Sequence, residues 1–123
     1  MTSFPHLDET GAATMVDVGA KEVTARSATA RGRLAVSAEV VALLRGEGVP
    51  KGDALAVARI AAITGAKRTS DLIPLCHPIR LTGVDVELEV TDLGVEIEVT
   101  CRASDRTGVE MEALTSVTVA GLT

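Results

Sequence analysis

A chain of 123 residues, 46% of them hydrophobic, is long enough for one globular domain and too apolar for intrinsic disorder. Its net charge of −5 and single aromatic residue, Phe4, exclude a nucleic-acid partner, which needs a basic footprint and, for single strands, stacking platforms. No apolar run approaches the roughly 20 residues of a membrane span, and the polar TSFPHLDETG after Met1 is no secretion signal, so the expected location is cytoplasmic with no membrane partner.

Residues 1–13 carry Pro5, Gly11 and no usable period, and they read as a mobile arm in which His6 is solvated. The remainder, 14–123, reads as one domain. From Thr14 the pattern is extended: Met15, Val16 and Val18 precede a break at Gly19, and Val23 to Val36 mixes Val, Thr and Ala with spaced arginines. This predicts one long or bulged strand over 14–36.

Ser37 before AEVVALLRG, closed by Gly46 and Gly48, has the start and stop chemistry of a helix over 38–45. Asp53 offers a cap to a second helix over about 53–66, which carries Leu55, Val57, Ile60 and Ile63 on an Ala-rich background. Such a helix is apolar nearly all round. It must be covered on all sides, which predicts an oligomer.

Residues 67–81, KRTSDLIPLCHPIRL, are the most crowded stretch. Ile73 and His77 each precede a proline, which pushes both toward extended backbone and away from helix. His77 then stands on a stiff support, suited either to proton transfer or to a hydrogen bond with a nearby carbonyl. Cys76 forms no nucleophilic dyad with its neighbour, because adjacent side chains in an extended chain point to opposite sides. Cys76 and Cys101 are the only cysteines and have no Cys-x-x-Cys spacing, so they read as two free buried thiols, with no disulfide and no metal site.

Beyond it, TGVDVELEV and GVEIEVTCR alternate apolar with acidic residues around TDLG. This is an antiparallel hairpin with one buried face and one solvated acidic face. Thr107 with Glu110 three residues on fits a capping box, opening a last helix from about 108 to the end. Glu110 and Glu112, two apart, stand about 200° round from each other on a regular helix, so both line one pocket only if the first turn is irregular. Glu112 is the freer of the two.

Nine of the twelve bases lie between Lys21 and Arg68, so an anionic ligand has to meet the first half of the chain. Lys67 and Arg68 complement the C-terminal dipole of the second helix. Lys51 opposes the dipole at its start, which makes sense if it serves an anion shared with the helix N–H groups.

In order and spacing, MVDVGAKEVTAR, KGDALAVARIAAITGAKRTSDLIPLCHP and TGVEMEALTSVTVAGLT resemble the MoaC family of molybdenum cofactor biosynthesis, from about Met15 to Thr123. The resemblance implies an α+β, ferredoxin-like fold, with an antiparallel sheet covered by helices. It implies a homohexamer of three dimers with sites between subunits. The implied activity is that of a lyase converting 3′,8-cyclo-7,8-dihydroguanosine 5′-triphosphate, derived from GTP, into cyclic pyranopterin monophosphate and pyrophosphate. A non-catalytic pterin- or nucleotide-binding member is the alternative. Carried over by motif, Leu75, Cys76, His77, Met111 and Glu112 bind substrate with Glu110 as a neighbour. Lys51 and Lys67 handle triphosphate and protons, and Arg26 reaches a neighbouring subunit's pocket. No resident metal or cofactor is implied, Mg²⁺ entering only with the triphosphate. The family pattern continues with an Asp-x-x-Lys segment and a Gly/Lys-rich tail that this sequence does not contain, so a C-terminal segment of the family is expected to be missing.

Overall fold

Period-2 alternation places Val95, Ile97, Val99, Cys101 and Ala103 on one side of a strand, and all five are buried. They belong to β3 (Gly94–Asp105), the central strand of a three-stranded antiparallel sheet, flanked by β1 (Thr24–Ala35) and β2 (Leu81–Thr91) in the order β1-β3-β2. The computed structural model describes residues 22–46 and 53–123. The arm read over 1–13, the first part of the strand read over 14–36 and Lys51 lie outside those residues. Within them the first strand begins at Thr24 and runs unbulged to Ala35. The irregularity falls in β2, between Leu81 and Gly83.

The described residues form four helices. Ser37 accepts a hydrogen bond from the Val40 N–H at 3.3 Å and opens α1 (Ala38–Leu44). Asp53 accepts from the N–H groups of Leu55 and Ala56, at 2.9 and 3.3 Å, and opens α2 (Ala54–Lys67), as expected for a capping side chain. A helix the sequence did not announce, α3 (Thr69–Leu72), turns the chain at once. Buried Thr69 secures that turn by donating to the Gly65 and Ala66 carbonyls at 3.1 and 2.9 Å. The last helix, α4 (Glu110–Leu122), runs nearly to the chain end.

α4 lies over β1 and β3, α2 lies over β2, and the two helices pack side by side on one face of the sheet. Small residues allow this close approach. A Cβ at Gly32 would come within 2.6 Å of Val117, and one at Gly65 within 2.9 Å of Val119. Ser116, fully buried, donates to the Ala62 carbonyl at 2.6 Å and ties α4 to α2. At the centre the row Ala30, Val99, Val86 is buried across all three strands. Val99, with no exposed surface, contributes roughly 1.5–3 kcal/mol by burial alone.

The opposite face is charged, as the alternation predicts, but its carboxylates are not merely solvated. Glu98 and Glu96 accept from Arg31 and Arg33 on β1 at 2.9 and 2.6 Å, and Arg102 pairs with Asp85. These pairs are exposed and screened by solvent, so they add little to stability.

Candidate active site

The segment after α3 must reverse direction to reach β2, and it does so at Leu75. This residue has φ 63°, the single non-glycine positive φ among the described residues. A branched apolar residue in the left-handed region costs about 1–2 kcal/mol, and such strain clusters where a segment has to present side chains in one geometry. Pro74 and Pro78 stiffen the chain on either side. Cys76 and His77 emerge from this turn half-buried, facing the start of α4.

That start is irregular. Val109 occupies the N-cap with φ −119° and ψ 23°, and no side chain caps the helix. The capping box expected from Thr107 and Glu110 does not form. The helix begins at Glu110 itself, so its carboxyl is too near the end to reach back as an N3 partner, and instead it lies over Gly108, where a Cβ would overlap its Oε2. Although both lie within the helix, Glu110 and Glu112 line the same pocket, contrary to the expectation for a regular first turn, with the Glu110 carboxyl lying over Gly108.

This pocket, about 200 Å³, is walled on one side by Ile73 through His77 and Ile79, and on the other by Thr107, Gly108, Glu110, Met111 and Glu112. Six of the residues carried over by motif, Leu75, Cys76, His77, Glu110, Met111 and Glu112, therefore meet in one place. Sequence reasoning missed Ile73, Pro74, Ile79, Thr107 and Gly108. Their signal was adjacency within the quoted strings. Lys67 sits exposed in the last turn of α2, and half-buried Arg26 donates from Nη2 to the Arg106 carbonyl at 3.3 Å; neither lines this pocket.

Glu112 is the unusual group. It is 3% exposed, its Oε2 receives only a weak contact from the Cys76 thiol at 3.9 Å, and its Oε1 is buried with no partner among the described residues. Burial, reinforced by the neighbouring Glu110 charge, pushes its carboxyl above the usual range, opposed by its own backbone N–H, the Cys76 thiol and His77. An orphaned buried carboxyl oxygen costs free energy unless a ligand completes it. Cys76 is in turn pushed up, first by burial and then by Glu112, which keeps it a thiol. Cys101, fully buried beneath, is pushed up to about 11 by burial and the Glu112 charge. Both cysteines are free, and the Cys76 Sγ–H points at Glu112 and at the His77 carbonyl rather than at an imidazole, so no nucleophilic dyad exists here.

A larger trough beside β2, lined by Arg31, Arg59, Glu87, Glu89, Glu96 and Glu98, is less suited to chemistry on an anion. Its four carboxylates repel negative charge, and its arginines are spent on Glu98 and on the Val86 carbonyl.

The MoaC family model matches residues 15–123. The chain is 69% identical over 118 residues to a cyclic pyranopterin monophosphate synthase of Streptomyces griseus, covering 96% of this chain and 67% of the relative. It is 65% identical over 121 residues to the protein so named from Nocardioides, covering 96% and 74%. It is 63% identical over 118 residues to cyclic pyranopterin monophosphate synthase 2 of Mycobacterium tuberculosis, covering 96% and 71%.

Proposed function

The chain belongs to the MoaC family, and from that premise we propose that it is a cyclic pyranopterin monophosphate synthase of molybdenum cofactor biosynthesis, working in the pocket between residues 73–79 and the start of α4. The observation that carries the placement is the orphaned Oε1 of buried Glu112, in the cavity where six motif residues converge. The reaction turns a GTP-derived cyclic triphosphate into a cyclic monophosphate and pyrophosphate. A hydroxyl displaces pyrophosphate from the innermost phosphorus, and its proton must be taken up as the oxygen attacks. Glu112 and His77 are placed to exchange protons with the ligand, Leu75 and Met111 supply apolar walls, and Glu110 and Cys76 complete the lining. Lys51, Lys67 and Arg26 serve the triphosphate and its protons, and Mg²⁺ enters with the substrate and not as a resident cofactor.

A cavity of about 200 Å³ is smaller than the roughly 300–1,000 Å³ typical of ligand sites. The rest of the site therefore comes from elsewhere, and a second copy of the chain is the economical source. The helical layer supports that reading, since Val57, Ile60, Leu72 and Leu114 are each about half exposed or more on its outer side. The family resemblance gives that assembly as a hexamer of three dimers. Sedimentation equilibrium should give a mass several times 12.7 kDa, and a monomer would refute the shared site. The β1-β3-β2 order with α2 crossing between β1 and β2 fits a ferredoxin-like fold, in which a fourth strand would pair the open edge of β1. No helix among the described residues is long and apolar enough to cross a membrane; a cytoplasmic site of action accords with that.

The test is incubation with 3′,8-cyclo-7,8-dihydroguanosine 5′-triphosphate followed by phosphorus NMR. Pyrophosphate and a cyclic phosphate should appear in equal amounts. Tight binding with no turnover would instead favour a pterin- or nucleotide-binding member of the family.

A further inference from the structure

We propose that Arg106 is a further cation, beside Lys51, Lys67 and Arg26, that meets the phosphate end of the ligand at the mouth of this pocket, an inference that rests on reading the ligand as a polyphosphate. Among the described residues the titratable lining of the pocket is Cys76, His77, Glu110 and Glu112, two carboxyl groups and no lysine or arginine. Alone, that lining repels a polyphosphate, so fixed positive charge has to stand at the rim.

The cations can be sorted by what already holds them. Arg31, Arg33, Arg45, Arg68 and Arg102 each face a carboxylate, and Arg59 donates to the Val86 carbonyl. Arg26 donates to the Arg106 carbonyl. Among the described residues this leaves Lys67, Arg80 and Arg106. Lys67 belongs to the last turn of α2 and does not border the pocket. Arg80 follows Ile79, which lines the pocket, but is not itself among the lining residues, and no hydrogen bond anchors it beside a second cation.

Arg106 does not line the pocket either, and what sets it apart is its anchored backbone and the second cation beside it. It directly precedes Thr107 and Gly108 of the pocket wall, and it is exposed with no carboxylate partner among the described residues. Its backbone is pinned on both sides. The N–H donates to Asp105 Oδ1 at 2.6 Å, and the carbonyl accepts from Arg26 Nη2 at 3.3 Å. Arg26 thus lends a second positive charge to the same corner, with its own Nε buried and unpartnered. A guanidinium on an anchored corner suits phosphate, because its planar fork donates to two oxygens at once.

The experiment is calorimetric titration of the full chain with GTP, guanosine and inorganic tripolyphosphate, for wild type, Arg106→Gln, Arg106→Lys and Arg80→Gln. Arg106→Gln should weaken GTP and tripolyphosphate by about tenfold while leaving guanosine unchanged. Arg106→Lys should recover part of the loss, and Arg80→Gln should match wild type. Unchanged tripolyphosphate affinity in Arg106→Gln, an equal loss for guanosine, or no tripolyphosphate binding by wild type overturns the inference. Binding as expected without turnover of the cyclised triphosphate would sink the enzymatic reading and leave Arg106 standing. Turnover with an unaltered KM in Arg106→Gln would do the reverse.

Discussion

Glu112→Gln is expected to slow pyrophosphate release by about 10²–10⁴-fold, the range for losing a positioned general acid or base, without lowering the thermal unfolding temperature. Gln keeps the shape of the side chain and can still fill the space beside Cys76, but it neither yields nor takes a proton. The wild-type carboxyl is buried with one oxygen orphaned, and its raised pKa records that burial disfavours its charge. The sign of the stability effect follows. A carboxyl whose folded pKa lies above its unfolded value stabilises the fold at low pH, and that contribution is lost as pH rises through the folded value. At neutral pH a neutral amide is no worse, so lost activity in Glu112→Gln cannot be blamed on unfolding. Glu110→Gln, at an exposed position, should cost less. Full turnover by Glu112→Gln would remove Glu112 from the chemistry.

Gly94→Ala is expected to cost about 3 kcal/mol of stability, a large share of the roughly 5–15 kcal/mol that holds a domain of this size. Gly94 has φ 148°, a conformation that side-chain-bearing residues rarely adopt, and it is buried at the start of β3 opposite Ala35. A Cβ there would overlap the Leu34 carbonyl oxygen, a backbone atom that cannot swing aside as a side chain could. Because β3 pairs with both neighbours, a shift at Gly94 disturbs both ladders. Urea unfolding measures the cost. Gly46 has a similar φ of 134° but no described residue within 4 Å of an added Cβ, so Gly46→Ala should cost less.

The hairpin, the Ser37 and Asp53 caps and the apolar side of the sheet were all legible, because period-2 alternation and capping chemistry are local: β3 obeys the first, α1 and α2 the second. α3 was not. Its four residues, TSDL, are too short for a period, and they are fixed by Thr69 bonding back into α2, a contact that only the folded chain provides. The Thr107–Glu110 pair had the right spacing and the wrong outcome, because Glu110 opens the helix rather than sitting a turn inside it. The two acids share one pocket all the same, with the Glu110 carboxyl lying over Gly108. Residue types in 73–79 suggested chemistry, but composition alone left His77 between proton transfer and a structural hydrogen bond. The convergence with α4 joins residues some 35 positions apart, and the motif resemblance supplied it before any distance did. The left-handed turn at Leu75 had no sequence signal at all, since neither Gly nor Asn marks it.

The most direct measurement of where the reaction happens is the alkylation rate of Cys76 with and without saturating substrate. Its raised pKa calls for a pH above the usual thiol range, where enough thiolate forms to react. Cys101, buried in the core, should stay unlabelled throughout and serve as the internal reference. If the pocket between residues 73–79 and α4 is the active site, bound substrate should slow Cys76 labelling at least severalfold as occupancy rises. Undiminished labelling of Cys76 in a sample that is releasing pyrophosphate would place the chemistry somewhere else.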